Sequence, residues 1–453
     1  MQIRMPDHVS IIVDTLENHG YEAYIVGGCV RDSILGKEPS DWDITTSAKP
    51  DQVKALFRRT IDTGLKHGTV TVMIDKIGYE VTTYRIDGVY TDHRHPEEVT
   101  FTDSLREDLA RRDFTINAMA YNHQRGLVDL FAGMEDLKCG IIRCVGDPEE
   151  RFTEDALRML RAIRFAGQLG YRIEEATLSA ITAKRQLLSN VSAERIQMEL
   201  LKIMISDHPD ILRTAWKAKL TEVFLPEFDR MMETPQNNPH HMYTVGEHTL
   251  HALTYIGPNP VLRLTMLLHD IGKPATRTTD EEGIDHFNRH NEAGCLLAGD
   301  ILKRLKFDNR TIQMVTVLID NHDIRFKDPA GNGRRHVRRV IHKVGQSLFP
   351  YLLQVMEADV RAQSSYMQEM KLQILAETNQ VYQEILNAGD CLSLKDLKIN
   401  GNQLKALGIR EGRTIGSILN TLLSMVLEHP ELNEPGYLKE LALKIYAQLQ
   451  KES

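Results

Sequence analysis

The sequence predicts an α+β head, a mixed sheet with helices, followed by a long all-α remainder. Three observations lead there. Strand-like and helix-like segments alternate up to about residue 125. Apolar residues recur at helical spacing from about residue 135 onward. The polar, proline-bearing stretch TPQNNPHH (234–241) is the best boundary within the helical part. The expected division is a head over 1–130, a helical neck over 131–225, a histidine-bearing region over 226–365 and a helical tail over 366–453.

Taken in order, MQIRMPDHVSIIVDTLENHG reads as an amphipathic helix and EAYIVGG as a strand entering a glycine turn. DWDITT, GTVTVMID and GYEVTTYR read as further strands, with Gly78 at the turn between the last two, and KPDQVKALFRR as a helix. Residues 84–101, YRIDGVYTDHRHPEEVTF, are polar, contain Gly88 and Pro96, and read as a loop. Thr153 is the cap candidate of a single helix through EDALRMLRAIRFAGQLGY. There Leu157, Leu160, Ile163 and Phe165 form an apolar stripe and arginines form another. The tail is helical and broken at NGNQLKALGIREGRTIG.

With 453 residues, 42% hydrophobic and 26% charged, the chain can bury a large core in several domains. Its net charge of −8 means that any nucleic-acid contact has to come from local basic patches. No apolar run approaches the ~18 residues of a membrane span, and the N-terminus lacks the compact apolar block of a signal peptide. Five cysteines without a CxxC pair are expected to be reduced, packing thiols. A cytoplasmic location is therefore expected.

Asp41 and Asp43 flank Trp42. On a strand they would share a face and repel, and a divalent cation such as Mg²⁺ is the usual relief. Upstream, Gly27 and Gly28 would let the backbone approach a ligand and donate N–H groups to phosphate oxygens. Arg31 could grip a triphosphate. Glu80 is the candidate third carboxylate on a neighbouring strand. Alone, a glycine pair is a turn and an Asp-x-Asp a solvated loop. The ordered set favours a two-cation site that activates a hydroxyl and stabilises departing pyrophosphate.

The segments GGCVRDSILGKEPSDWDITT, DLARRDFTINAMAYN and RFTEDALRMLRAIRFAGQLGY resemble the signature motifs of class II tRNA nucleotidyltransferases, the bacterial CCA-adding enzymes and their poly(A) polymerase relatives. DLKINGNQLKALGIREGRTIG resembles the family's C-terminal body. The resemblance implies a nucleotidyltransferase-fold head. It also implies that Arg112 contacts the incoming nucleotide with Asp113 in support, and that Gly28, Arg31, Asp155, Arg158, Arg161 and Arg164 serve the nucleotide. By the same resemblance, the 84–101 loop helps the change from C to A specificity.

Asp155 and Arg158 carry an argument of their own. Three apart on a helix, they would share a face and present an acceptor beside a donor. Cytosine and adenine offer the matching amine and ring nitrogen; uracil and guanine offer the reverse. Such a pair would select C and A and reject U and G by up to ~10⁴. Arg161 and Arg164 would continue toward phosphates. The plainer alternative is an ion pair on a solvated helix face.

Downstream, GEHTLHAL, MLLHDIGKPA, FNRHNEAG, IDNHD and MEADVRAQ form an ordered series that resembles the HD phosphohydrolase superfamily. The resemblance implies a divalent metal held by His248, His269, Asp270 and Asp359, with His290 and His322 for a second metal. Lys273 is the candidate phosphate contact, and the chemistry implied is hydrolysis of phosphoesters such as cyclic phosphates at RNA ends. The alternative is a degenerate domain that shapes an RNA cradle. Finally, RFKDPAGNGRRHVRRVIHK offers Arg334, Arg335, Arg338 and Arg339 to tRNA phosphates, or else forms a salt-bridged helix. The combined expectation is Mg²⁺-dependent addition of C and A from CTP and ATP to tRNA 3′ ends, with no membrane and no obligate protein partner. The rivals are a poly(A) polymerase, a partial CC- or A-adding enzyme, or an RNA-binding scaffold with inactive sites.

Overall fold

The computed structural model describes residues 2–88, 99–410 and 412–451. The chain divides into two compact units, Met1–Asp229 and Arg230–Ser453. The first is built on a seven-stranded mixed sheet in the order Thr60–Gly64, Thr69–Ile74, Ile77–Thr83, Ile44–Thr46, Ala23–Val26, Met119–Asn122, Gly126–Asp129. Ala23–Val26 is fully buried and pairs antiparallel with both neighbours; Ile44–Thr46 pairs parallel with Ile77–Thr83. That parallel pair places Ile44 beside Val81, so the chain ahead of Ile44 and the residue before Val81 reach the same end of the sheet.

Three local expectations are corrected. The strand of DWDITT begins only at Ile44, so Asp41 and Asp43 precede it rather than alternating within it. The hairpin turn is made by Asp75 and Lys76, both at positive φ; Gly78 lies inside its strand, where a Cβ would meet Thr71 Cγ2 at 2.8 Å. The ends of the 84–101 loop pair as a ribbon, Arg85–Asp87 with Val99–Phe101. The specificity reading of that loop falls largely on 89–98, outside the described residues.

The helix expected from Thr153 onward is two helices. Pro148–Glu154 ends before Asp155, which is extended, and Leu157–Leu169 follows. Thr153 sits in the last turn of the first helix, its hydroxyl bonded to the Glu149 carbonyl; the second helix follows Ala156, and the Asp155 carboxylate accepts from its first N–H, that of Leu157, at 3.1 Å. Asp with its short acceptor side chain competes with the helical backbone and favours such a break.

The second unit is helical. Val245–Tyr255, Pro260–Leu268 and Asn309–Asn321 start on the caps Thr244, Asn259 and Asp308. His290–Arg304 and Phe349–Ala362 complete the set around the histidines. The tail helices Gln368–Ala388, Arg413–Glu428 and Pro435–Lys451 share an apolar core with Phe349–Ala362, including Phe349, Tyr382, Ile418 and Leu438. The expected break at 400–416 contains a short helix of its own, Gly401–Ala406, closed by a capping box between Asn400 and Gln403. Of the five unpaired cysteines, Cys139 is exposed rather than packed.

Candidate functional site

In the first unit, Gly27 ends the buried strand with φ +81° and ψ −129°, a conformation that strains any residue with a Cβ. A Cβ there would also stand 3.1 Å from Arg112 Nη1. Gly28 opens the helix Gly28–Ile34, which carries Arg31. Arg31 is nine-tenths buried and fully committed: Nε and Nη2 bond Asp32 at 2.9 and 3.0 Å, and Nη1 bonds Asn117 Oδ1 at 2.6 Å. Asn117 donates to Asp113 Oδ1 at 3.3 Å, and Asp113 Oδ2 accepts from Arg161 Nε at 2.8 Å. A continuous relay therefore joins the glycine turn to the helix Leu157–Leu169. Asn117 was not singled out in the sequence, although it lies within the motif DLARRDFTINAMAYN.

Asp41, Asp43 and Glu80 are exposed at the end of the sheet. The Asp43 carboxyl is raised above its ordinary value because the surrounding protein restricts its hydration; Arg112 opposes this and the charge of Asp41 adds to it. Glu80 is raised for the same first reason, and then by Asp43 and Asp41. Asp43 and Glu80 thus both feel the charge of Asp41, with Arg112 as the opposing charge on Asp43. Arg112 Nε has no hydrogen-bond partner, and its Nη2 lies 3.5 Å from buried Asp108. An under-compensated acidic cluster beside a polarised arginine fits a divalent cation accompanied by an anion.

The expected base-reading pair is arranged differently from its prediction. Asp155 and Arg158 do not share a helix, though Arg158 N–H bonds the Asp155 carbonyl at 3.0 Å. Asp155 Oδ2 accepts from Arg195 at 2.9 Å, while Arg158 bonds Glu154 at 2.7 Å and the Arg111 carbonyl at 3.0 Å. Arg161 is half-exposed on Asp113. Arg164 is buried on Glu199 at 2.6 Å and lies over the Phe165 ring at 4.0 Å, so its expected approach to phosphate is not what the structure displays. Burial of an arginine head requires a paired acid, and Glu199, 35 residues away, was not foreseeable from spacing.

In the second unit all six expected ligands converge. His248 lies on Val245–Tyr255, His269 and Asp270 directly after Pro260–Leu268, His290 at the first turn of its helix, His322 at the end of Asn309–Asn321, and Asp359 on Phe349–Ala362. They form two candidate metal groups: His248, His269 and Asp359, and Asp270, His290 and His322. Asp270 stands between them, with Oδ2 3.2 Å from His269 Nε2 and Oδ1 3.6 and 3.7 Å from His290 and His322 Nε2.

The imidazole orientation argues for a cation. The Nδ1 atoms of His269, His290 and His322 face the carbonyls of Met266, Phe287 and Ile319 at 2.7–2.8 Å, and His248 Nδ1 faces Ala362 at 3.4 Å. A carbonyl can only accept, so each Nδ1 carries the proton and each Nε2 of a neutral ring points a lone pair inward. His290 and His322 Nε2 then face each other at 3.3 Å, and His269 Nε2 has no hydrogen-bond partner of its own. Burial works against a charged His269, but Asp270 and Asp359 overcome it and raise its pKa to about 10. A positive charge is wanted at this place. Gly272 permits the packing: a Cβ there would meet the His290 carbonyl at 2.1 Å.

Lys273 reaches Asp270 at 2.7 Å and Gln236 at 2.8 Å, so the expected phosphate contact is engaged within the cluster. Gln236 and His241 were not anticipated. The His241 ring stands edge-on to His248, and burial depresses its pKa to about 2, with Lys273 contributing. The basic patch is corrected: Arg338 is buried and bonds the Leu427 carbonyl at 2.7 Å, closing the end of Arg413–Glu428. Arg334 pairs with Glu384 at 2.7 Å and Arg339 pairs with Glu428; Arg335 is exposed. No helix of the described residues is long and apolar enough to cross a membrane.

Three family models match in succession. "Poly A polymerase head domain" covers residues 23–143, "Probable RNA and SrmB- binding site of polymerase A" 170–232 and "HD domain" 240–363. The chain is similar to the CCA-adding enzyme of Levilactobacillus brevis, 56% identical over 198 residues, or 44% of this chain and 50% of that one. A match of 54% to the Lactiplantibacillus plantarum enzyme covers 49% of it, so the chain spans about half the length of these two relatives. The Bacillus stearothermophilus CCA-adding enzyme, solved in complex with CTP, superposes with a TM-score of 0.73 at 27% identity, covering 99% of this chain and 100% of that one. The Thermotoga maritima enzyme, complexed with tRNA-CCA, shares the fold at TM-score 0.62 and 20% identity. The CCA-adding enzyme of Pediococcus pentosaceus is 42% identical over 300 residues, 64% of this chain and 75% of that relative, and on this likeness the chain belongs to the CCA-adding enzyme family.

Proposed function

We propose that the first unit adds C and A nucleotides from CTP and ATP to the 3′ end of tRNA without a nucleic-acid template, releasing pyrophosphate. The observation that carries this reading is the gathering of Asp41, Asp43 and Glu80 at one end of the sheet, where restricted hydration and then neighbouring acids raise Asp43 and Glu80, with Arg112 against the glycine turn. Asp41 and Asp43, with Glu80 in reach, would hold Mg²⁺, which would lower the acidity barrier of the RNA 3′ hydroxyl and neutralise the triphosphate. The backbone at Gly27 and Gly28 leaves room for phosphate against the sheet end. Arg31, locked by Asp32 and Asn117, keeps the turn rigid, and Arg112 supplies cationic charge to the anion.

Base choice is assigned to Asp155 and Arg158. In this structure the Asp155 carboxylate accepts two bonds of a capacity of about four, so it retains acceptors for an exocyclic amine. Arg158 would read the base by exchanging Glu154 for the ring nitrogen that C and A both place beside that amine. The complexes of related enzymes with CTP, ATP and tRNA support the choice of these substrates for the proposed addition.

The second unit supports a separate reading as a metal-dependent phosphohydrolase, carried by four imidazoles whose Nδ1 atoms face carbonyls while their Nε2 atoms converge on acids. His248, His269, Asp270 and Asp359, with His290 and His322, would hold one or two divalent metals.

The deciding experiment supplies tRNA lacking its 3′ end with each labelled nucleoside triphosphate, singly and together, and sequences the products. CCA ends made only from CTP and ATP are expected. Long A tracts would make the protein a poly(A) polymerase, an incomplete end a partial enzyme, and no extension a scaffold.

A further inference from the structure

A cavity of about 420 Å³ opens beside the histidine–aspartate cluster and reaches it through Asp359 and His322. Its lining carries the cations Arg325, Lys327 and Lys371, the acids Asp323 and Asp359, and the apolar side chains Met356, Met367, Met370 and Ile374. The volume lies toward the lower end of the roughly 300–1,000 Å³ range of small-molecule sites, enough for one nucleotide and not for a run of RNA.

Lys371 is the residue of interest. It lies on Gln368–Ala388, beyond residue 363 where the HD-domain match ends. Its ammonium is half-buried, 2.5 Å from Gln363 Oε1 and 3.1 Å from His240 Nδ1. Gln363 in turn donates to Asp359 Oδ2 at 3.0 Å. Lys371 therefore stands one side chain away from a candidate metal ligand, with a third N–H beyond those two contacts. The same helix contributes Met370 and Ile374, so cationic and apolar surface arrive together on one element. Methionines adapt to flat apolar groups of varied outline.

We propose that this cavity binds a mononucleotide, a nucleoside monophosphate whose phosphate faces Lys371 and Arg325 and whose base lies against Met367, Met370 and Ile374, and that the tail helix sets the specificity of the second site. The inference rests on the phosphohydrolase reading for its chemistry. In the hydrolysis it implies, the ester P–O bond breaks, the oxygen of water forms the new P–O bond, and the protons of water pass to the leaving nucleoside hydroxyl and the solvent. Inorganic phosphate and a nucleoside leave.

The test is titration calorimetry on full-length protein with Asp41→Ala and Asp43→Ala in the head, to reduce nucleotide binding there. The probes are adenosine 3′-monophosphate, adenosine and inorganic phosphate. One site is expected for the monophosphate, with adenosine and phosphate each at least about tenfold weaker. Lys371→Met should weaken the monophosphate about tenfold, and Lys371→Arg should restore it to within about threefold. Met370→Glu, at a position 46% exposed and therefore tolerant, should weaken it without affecting folding. Adenosine binding as tightly as its monophosphate would overturn the proposal. So would Lys371→Met and Met370→Glu proteins that are both folded and within twofold of the parent. Metal analysis of the parent protein decides the phosphohydrolase reading separately. A metal-free protein that still binds the monophosphate through Lys371 would refute that reading and leave the pocket assignment standing.

Discussion

In the head, Asp43 and Glu80 are exposed and their carboxyls are raised above the ordinary value, with neighbouring acids adding to the effect of restricted hydration. In the second unit, Asp270 is buried and, despite that burial, is held well below the ordinary value by His269 and Lys273; Asp359 is held down against its own burial by His248, 2.8 Å from its Oδ1, and by nearby His269. Both clusters fit divalent metal, but they are prepared for it differently. The head leaves negative charge only partly compensated at an open edge, which suits a cation that arrives with its nucleotide and leaves with pyrophosphate. The second unit surrounds its acids with imidazoles in a fixed tautomer, which suits a resident ion. The expected contrast is an ion that exchanges at the first site and one that is retained at the second.

The largest effect that would break this comparison is loss of the head acids. Asp41→Ala with Asp43→Ala should reduce nucleotide addition by at least about 10³-fold, the scale of removing a transition-state charge partner. Metal bound to the second unit, measured by elemental analysis, should be unchanged. Addition at the parental rate would remove the head site altogether.

Next is retention. Asp270→Ala leaves Lys273 and the surrounding imidazoles without their central acid, so the metal-free unit should lose about 3–5 kcal/mol of stability. In His269→Ala the metal content should fall below about a tenth of the parent's, while tRNA extension stays within about twofold. Equal metal in parent and His269→Ala would show that these histidines are not a metal centre.

Selectivity is the third contrast, because it belongs to the head unit alone. Exchanging the two side chains chemically, Asp155→Arg with Arg158→Asp, should move incorporation from CTP and ATP toward UTP and GTP. The exchange also sets a new carboxylate at position 158 against Glu154 and a new guanidinium at position 155 against Arg195. Overall rate will therefore fall, and the diagnostic quantity is the ratio of nucleotides in the product. Unchanged C and A preference would assign base reading to other residues.

What could be read in advance follows the physics of each feature. The six candidate ligands of the second unit were named through the resemblance of their ordered motifs to the HD superfamily, and five helices bring them together. Asp41 and Asp43 were singled out by their spacing next to the glycine turn and Arg31, with Glu80 on the neighbouring strand. Partnerships were not. Arg31 meets Asn117 across 86 positions, Arg161 meets Asp113 across 48 and Arg338 meets Leu427 across 89. Such pairs are fixed by packing of whole elements, and arginine looks alike whether it grips phosphate, stacks on Phe165 or caps a helix. The helix break at Asp155 was missed because apolar periodicity continues through it, while the competing side-chain-to-backbone bond leaves no periodic trace.

The smallest expected effect sharpens the comparison from inside the head. Asp113 is a head carboxylate treated as the second unit treats its acids. Burial pushes its pKa up, but Arg161, Arg158 and Asn117 override this and hold it at about 2, against an ordinary 3.8. A depressed folded-state pKa means that Asp113 stabilises the fold at pH above its unfolded value and that this contribution is lost as pH falls toward the folded one. The shift corresponds to about 2 kcal/mol at neutral pH, of which about 1 kcal/mol should be gone by pH 3. Urea unfolding of parent and Asp113→Asn should therefore differ most above pH 5, with the difference about halved by pH 3. Asp43→Asn should show the opposite sign, because it removes a carboxylate whose charged form is disfavoured by restricted hydration and then by Asp41: it should be neutral or slightly stabilising above pH 5 while addition collapses. Parallel pH profiles for the two variants would mean that the head does not separate acids that hold the fold from acids that hold the ion.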